Sequence, residues 1–136
     1  MEMKVYKVAY NGDYGGFSLS DEAVKWLEQN AREEVKKFLA AERVRLTECR
    51  KNDKYASLST LEDAMGYSLM YDFHEDGMHR HDPDLIRVIE ELGKSASSPY
   101  SNLKVAEISG RAYRIDEYDG WETISEPDDY NWIIID

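Results

Sequence analysis

Residues 79–93 constrain the fold most strongly, because the start, the buried stripe and the end of one helix all fall within this segment. Asp82 is of the type that caps helices, and Pro83 suits the first helical position, where its missing N–H is no loss. Gly93 can adopt the left-handed backbone that ends a helix. The apolar residues between them recur at helical spacing. They are Leu85, Ile86, Val88, Ile89 and Leu92. We therefore predict a central helix with one buried face.

The N-terminal half predicts a strand followed by a long helix. Residues 3–10 alternate in polarity as a strand does, and the glycine-rich segment 11–16 ends it. That segment lacks the phosphate-loop motifs, which favours a plain turn over ligand contact. Ser20 is expected to cap a helix that runs to about Leu46. Lysines, arginines and glutamates interleave from residue 25 to 54, which favours a salt-bridged, solvated face over a nucleic-acid patch.

The remaining elements complete an α+β prediction. A capping-box spacing at 59–62 predicts a short helix over 60–65 that ends at Gly66. Further strands are predicted over 67–73, 103–108, 112–118, 121–124 and 131–135. Asp119-Gly120 has the signature of a two-residue hairpin. We expect a single domain over 1–136, a mainly antiparallel sheet with one long, one central and one short helix packed on it. An exposed Ile133-Ile134-Ile135 end would favour aggregation, so we also expect a homo-oligomer.

Charge and cysteine content exclude several classes of function. The net charge of −11 repels nucleic-acid phosphate, so we expect no direct nucleic-acid partner, although an acidic protein can imitate nucleic acid. Cys49 is the single cysteine, which rules out an internal disulfide and a Cys-based zinc site. No apolar run has the length of a membrane span or signal peptide, so we expect a protein that stays inside a cell.

Polar side chains around the start of the central helix suggest two kinds of site. His74, His79 and His81 lie close together among aspartates, but no established metal-ligand spacing matches, so we expect a polar loop, no metal and no cofactor. Arg80 beside a helix N-terminus suits an anion. Two alternatives stay open: an open cationic socket, or Arg80 paired with an acid from the C-terminal third.

Catalysis has little support from the residues. Cys49 lies in a charged helix without a nucleophile context, and acidic pairs are too common among 28 acids to stand out. We assign no catalytic residue and leave enzyme activity open. Several aromatic residues near the second loop and the hairpin suit stacking on a base or a subunit contact, namely Tyr100, Tyr113, Tyr118 and Trp121. Arg111 and Arg114 are isolated bases in an acidic region, which suggests a local task, although a salt bridge to Asp116 or Glu107 is the simpler explanation.

Three segments together resemble a family of small, mostly uncharacterised proteins of tailed bacteriophages and prophages. They are residues 14–23 (YGGFSLSDEA), 80–93 (RHDP followed by VIEELG) and 103–120 (LKVAEI followed by IDEYDG). Residues 26–78 are longer than the usual intervening segment, and residues 127–136 depart from the pattern.

The resemblance implies a protein acting in the cytoplasm of an infected bacterium, where small phage proteins often disable host defence. We expect a non-enzymatic protein that sequesters a nucleotide-derived immune signal, similar to anti-Thoeris and anti-CBASS sponge proteins. The residues expected to bind this ligand are Phe17, Arg80, His81, Tyr100, Asn102, Arg111 and Arg114. The first alternative is an acidic inhibitor of a host defence protein, and the second is an enzyme acting on a nucleotide.

Overall fold

Two small antiparallel sheets, four α-helices and two short 3₁₀ helices (Ala56–Leu58 and Gly93–Ala96) make up the computed structural model, which describes residues 5–54, 56–71, 78–127 and 135. The elements in chain order are β1 (Tyr6–Asn11), α1 (Asp21–Asn30), α2 (Glu33–Arg50), α3 (Leu61–Tyr71), α4 (Pro83–Leu92), β2 (Leu103–Ile108), β3 (Arg114–Tyr118) and β4 (Trp121–Ser125). The predicted α+β class is confirmed. The predicted single sheet is instead two separate pairs, since β1 pairs with β2 and β3 pairs with β4.

The two sheets meet at the end of β1. In the first sheet Tyr6 lies opposite Ile108 and Asn11 opposite Leu103. The second sheet is the predicted hairpin, with Asp119 and Gly120 both at positive φ, as a type I′ turn requires. The backbone N–H of Asn11 donates to a carboxylate of β4, so a side chain rather than a shared ladder joins the sheets.

Helix α4 has the start, buried face and end that the sequence predicts. The Asp82 side chain accepts the Asp84 N–H at 2.8 Å, and Pro83 is the first helical residue. The predicted stripe is buried from Leu85 to Ile89, while Leu92 is half-buried. Gly93 takes φ 57° and ends the helix. Because α4 packs on both β1 and β2, it holds the preceding residues 78–82 beside the sheet.

The predicted long helix from Asp21 is wrong in one respect: it breaks at Ala31 and Arg32, which are both extended. Ser20 caps α1 as expected, accepting the Ala23 N–H. The break is held from outside, because Arg32 donates its backbone N–H to the buried Asp84 carboxylate at 3.1 Å and its Nε to the same oxygen at 2.8 Å. Neither residue at the break carries a local stop signal.

The predicted strand is also wrong over residues 67–71, because α3 continues through Gly66 to Tyr71, while residues 72 and 73 lie outside the described part of the chain. The start of this helix is capped by Thr60 and Asp63, each of which accepts the backbone N–H of the other through its side chain. The observed capping box therefore begins one residue later than the predicted box at 59–62. Gly66 is required by close packing, not by a turn. A Cβ there would lie 2.1 Å from the Leu19 carbonyl oxygen, and the Leu19 N–H donates to the Gly66 carbonyl.

Gly66→Ala is expected to lower the free energy of unfolding by about 1–3 kcal/mol, because the added methyl group pushes a backbone carbonyl away. The sign is informative, since Gly→Ala within an ordinary helix stabilises it by up to about 1 kcal/mol. Urea denaturation followed by circular dichroism measures the change. Gly110→Ala is the control, because a Cβ there meets only a glutamate side-chain oxygen at 3.9 Å. A stabilised Gly66→Ala variant would contradict this packing.

Two further expectations lie outside the described residues. His74, in the histidine cluster, is one, and the strand over 131–135 is the other, apart from Ile135, which is exposed. Across residues 5–54, 56–71 and 78–127 we find no helical stretch with the length and hydrophobicity that a membrane span requires.

Candidate functional site

Arg80 is buried against a carboxylate of β4, so the second of its two alternatives describes the structure. Its side chain is 4% exposed and forms a double hydrogen bond with Glu122, at 2.6 Å through Nη1 and 2.9 Å through Nη2. The guanidinium carbon lies 3.9 Å from the centroid of the Phe17 ring. Arg80 and Phe17 therefore stabilise the interior, and the expected open socket at Arg80 is corrected to an internal ion pair.

Glu122 and Asn11 are the residues that sequence reasoning missed here. Glu122 also accepts the Asn11 N–H at 2.8 Å, and the Asn11 side chain donates to the Gly120 carbonyl. The exposed Asn102 takes part through its backbone N–H, which donates to the Asn11 side-chain oxygen. No local sequence signal marks this pairing, because Glu122 lies 42 residues from Arg80 in the chain.

His81 and Arg111 both line a cleft of about 240 Å³ beside the β1–β2 sheet. Its lining residues are Tyr6, Lys7, Val8, His81, Ile108, Gly110, Arg111 and Tyr113. The β1–β2 pairing brings Tyr6 opposite Ile108, which places Arg111 near the start of β1. On the other side, the Ala9 N–H donates to the Arg80 carbonyl at 2.8 Å, which holds His81 beside the same strand. The cleft thus depends on long-range pairing.

Two tyrosine hydroxyl groups orient the polar side chains of the cleft. The Tyr113 hydroxyl lies 2.7 Å from His81 Nδ1, and Arg111 Nε donates to the Tyr6 hydroxyl at 3.1 Å. The His79 ring stacks on the His81 ring, with centroids 5.2 Å apart. Tyr113 and His79 thus contact the His81 imidazole on two sides, and the Arg111 side chain lies against Tyr6.

One phenol and two bases of the cleft carry raised pKa values. Burial raises the pKa of Tyr113, so the phenol keeps its proton at neutral pH. The hydrogen bond to Tyr6 raises the pKa of Arg111, and the hydrogen bond to Glu90 raises that of Lys7. Both bases therefore stay charged at physiological pH.

The other predicted ligand-binding residues lie away from the cleft. Arg114 is exposed on β3 and pairs with Asp116 at 2.9 Å, so the salt-bridge interpretation describes it. Tyr100 is exposed beside Gly15. The structure therefore brings together His81 and Arg111, and it separates them from Tyr100 and Arg114. Within the described part of the chain, no group of His, Cys, Asp and Glu side chains is arranged to hold a metal ion.

Neither a protein-family model, nor a curated protein, nor a solved structure matches this chain significantly.

Proposed function

We propose that the protein sequesters a nucleotide-derived immune signal in the cleft between His81 and Arg111, without chemically altering it. The observation that supports this proposal is the convergence of an arginine, an imidazole and two phenol groups on one cleft of a chain whose net charge is −11. A local group of donors in an acidic protein suits an anionic ligand that carries a ring.

The charge of the cleft favours a phosphoryl group. Arg111 presents a planar set of donors, and its Nε donates to the Tyr6 hydroxyl, while His81 lines the same cleft. The charge of Lys7 is balanced by Glu90, which it contacts at 2.9 Å, so Arg111 is the principal cation for the ligand. Arginine is the side chain best suited to bidentate contact with phosphate.

The size of the cleft limits how much of the ligand it encloses. At about 240 Å³ it is smaller than the roughly 300–1,000 Å³ of sites that enclose drug-sized molecules. We propose that it takes one mononucleotide-sized part of the signal, with the Tyr6 and Tyr113 rings forming the apolar wall.

Binding without turnover is part of the proposal. Burial raises the pKa of Tyr113, so its hydroxyl keeps its proton at neutral pH and remains a hydrogen-bonding group of the cleft. The phage setting, the cytoplasm of the infected host and the homo-oligomeric state are parts of the proposal, and the first two depend on the three segments that resemble phage proteins.

Native mass spectrometry of the full chain tests the proposal. The protein is incubated with mononucleotides, cyclic dinucleotides and cyclised ADP-ribose, and the mass of each complex gives the ligand and the number of chains together. The complex is then heat-denatured. We expect the bound ligand to return with unchanged mass, whereas a ligand recovered only in altered form would make the protein an enzyme.

Arg111→Gln is expected to weaken binding of that ligand by about 10- to 100-fold, because it removes a charge-assisted hydrogen bond to phosphate. Isothermal titration calorimetry measures the dissociation constant. The matched control is Arg45→Gln, which removes the same charge from the exposed face of α2, where Arg45 pairs with Glu42. Equal affinities of the two variants would show that Arg111 does not hold the ligand.

A further inference from the structure

A second surface, distinct from the cleft, lies where the turn after β1 meets the β3–β4 turn. It exposes three aromatic side chains: Tyr14 is 54% exposed, Tyr118 78% and Trp121 40%. The Tyr14 and Trp121 rings pack edge to face with centroids 5.2 Å apart. Tyr118 is the cross-strand partner of Trp121 at the hairpin end, so their side chains share one face. We call Tyr14, Tyr118 and Trp121 the aromatic end.

The backbone beneath the aromatic end is held in a fixed arrangement. A Cβ on Gly120 would lie 2.4 Å from the backbone N of Gly16, so the two turns are in direct contact. The Asn11 side chain donates to the Gly120 carbonyl at 2.8 Å and to the Asp13 carbonyl at 2.6 Å, which ties both turns to β1. A preformed surface loses less conformational entropy when a partner binds.

Acidic side chains flank the aromatic end. Asp13, Glu117 and Asp119 are all exposed, and each is next to one of its tyrosines in the chain. Asp13 accepts the Tyr14 N–H and Glu117 accepts the Gly120 N–H, while the Lys104 side chain lies over Gly12 and supplies one opposing charge. The three carboxylates outnumber that base, so this end is negative. It disfavours a phosphate and also an identical end of a second copy.

We infer that the aromatic end is a docking surface for a cationic segment of a partner protein. Arginine and lysine side chains stack on the faces of tryptophan and tyrosine rings, and their charged groups pair with adjacent carboxylates. Exposed tyrosine and tryptophan are also the residues that contribute most binding energy in protein interfaces. The aromatic end shares no residue with the cleft, so a failure of the proposed ligand to bind would not affect it.

The probe is a fluorescein-labelled peptide with three arginines spaced by glycines, followed by fluorescence anisotropy with the full chain. Its control peptide carries citrulline in place of arginine, which keeps the shape and removes the charge. We expect the arginine peptide to bind with an affinity that falls as salt is added, and the citrulline peptide not to bind. Equal binding of the two peptides would overturn the inference.

Two variants separate the aromatic end from the general acidity of the chain. Tyr118→Ala is expected to lower the affinity for the arginine peptide about two- to fivefold. Asp119→Asn is expected to lower it by a similar factor, because asparagine tolerates the left-handed turn but removes the charge. Their controls are Leu58→Ala, an exposed apolar residue elsewhere, and Glu91→Gln, an exposed acid on α4. If each variant and its control lost the same affinity for the peptide, binding would depend on the general acidity of the chain and not on the aromatic end, and the inference would be overturned.

Sedimentation velocity then measures the oligomeric state of the wild-type chain and of Tyr118→Ala. If the wild-type chain is an oligomer that this substitution dissociates, the aromatic end is an interface between copies and the inference is wrong. An assembly unchanged by this substitution, together with weaker peptide binding, supports it.

Discussion

Glu122→Gln is expected to lower the free energy of unfolding by about 3–5 kcal/mol, because it leaves the buried Arg80 guanidinium without a counter-charge. Both side chains are almost fully buried, and two hydrogen bonds of 2.6 and 2.9 Å join them. The amide of glutamine still accepts one of these bonds but opposes the second with its own N–H groups. The same carboxylate fixes Asn11, so the loss also weakens the contact between the two sheets.

Urea denaturation monitored by circular dichroism gives this free energy. Glu107→Gln is the control, because it changes an exposed glutamate on strand β2 and should alter the unfolding free energy by no more than about 0.5 kcal/mol. A loss below 1 kcal/mol in Glu122→Gln would mean that the pair with Arg80 does not hold the hairpin in place.

Asp84→Asn is expected to cost about 2–3 kcal/mol at neutral pH. The Asp84 side chain is 1% exposed and accepts hydrogen bonds from the backbone and side chain of Arg32 and from Arg87. These bonds hold the extended backbone between α1 and α2 against the start of α4. We put the cost below that of Glu122→Gln because the Arg32 side chain is half-exposed and regains water when the bond is lost.

The cost of Asp84→Asn should shrink in acid. Burial by itself raises the pKa of the Asp84 carboxyl, but the hydrogen bonds and charge of Arg32 outweigh it, so the pKa lies below the ordinary value of 3.8. A lowered pKa means that the folded state binds the proton less tightly than the unfolded chain. The stabilisation is therefore complete above pH 3.8 and is lost as the pH falls through the lower, folded value. Urea denaturation of both proteins between pH 7 and 3 measures this, and a constant difference would contradict it.

Helix α4 could be predicted because its signals are local. The cap, the proline and the terminal glycine lie within one short segment, and the buried stripe follows from spacing alone. The helix end predicted at Gly66 was wrong for the opposite reason. The glycine makes room for the Leu19 carbonyl, a contact that is distant in sequence. The break at Arg32 has the same origin, since it depends on Asp84, 52 residues away.

The candidate site was only partly predictable from the sequence. His81 and Arg111 stand out as charged or polar residues near loops, but the cleft between them exists because β1 pairs with β2. Tyr6, which contacts Arg111, had no distinguishing pattern, and Tyr113, which contacts His81, was expected only as a residue that stacks on a base or forms a subunit contact. Arg80 drew attention as a cation at a helix start, yet its partner Glu122 is 42 residues away, and only the folded hairpin decides between an open site and a closed ion pair.

The most direct measurement of the central claim is amide chemical-shift mapping of the ¹⁵N-labelled chain with the nucleotide that native mass spectrometry selects. We predict that the largest shifts lie at Val8, His81, Gly110 and Arg111, while the amides of Tyr14, Tyr118 and Trp121 stay in place. Shifts confined to the aromatic end, or none with any nucleotide tested, would contradict the assignment of the cleft as the ligand site.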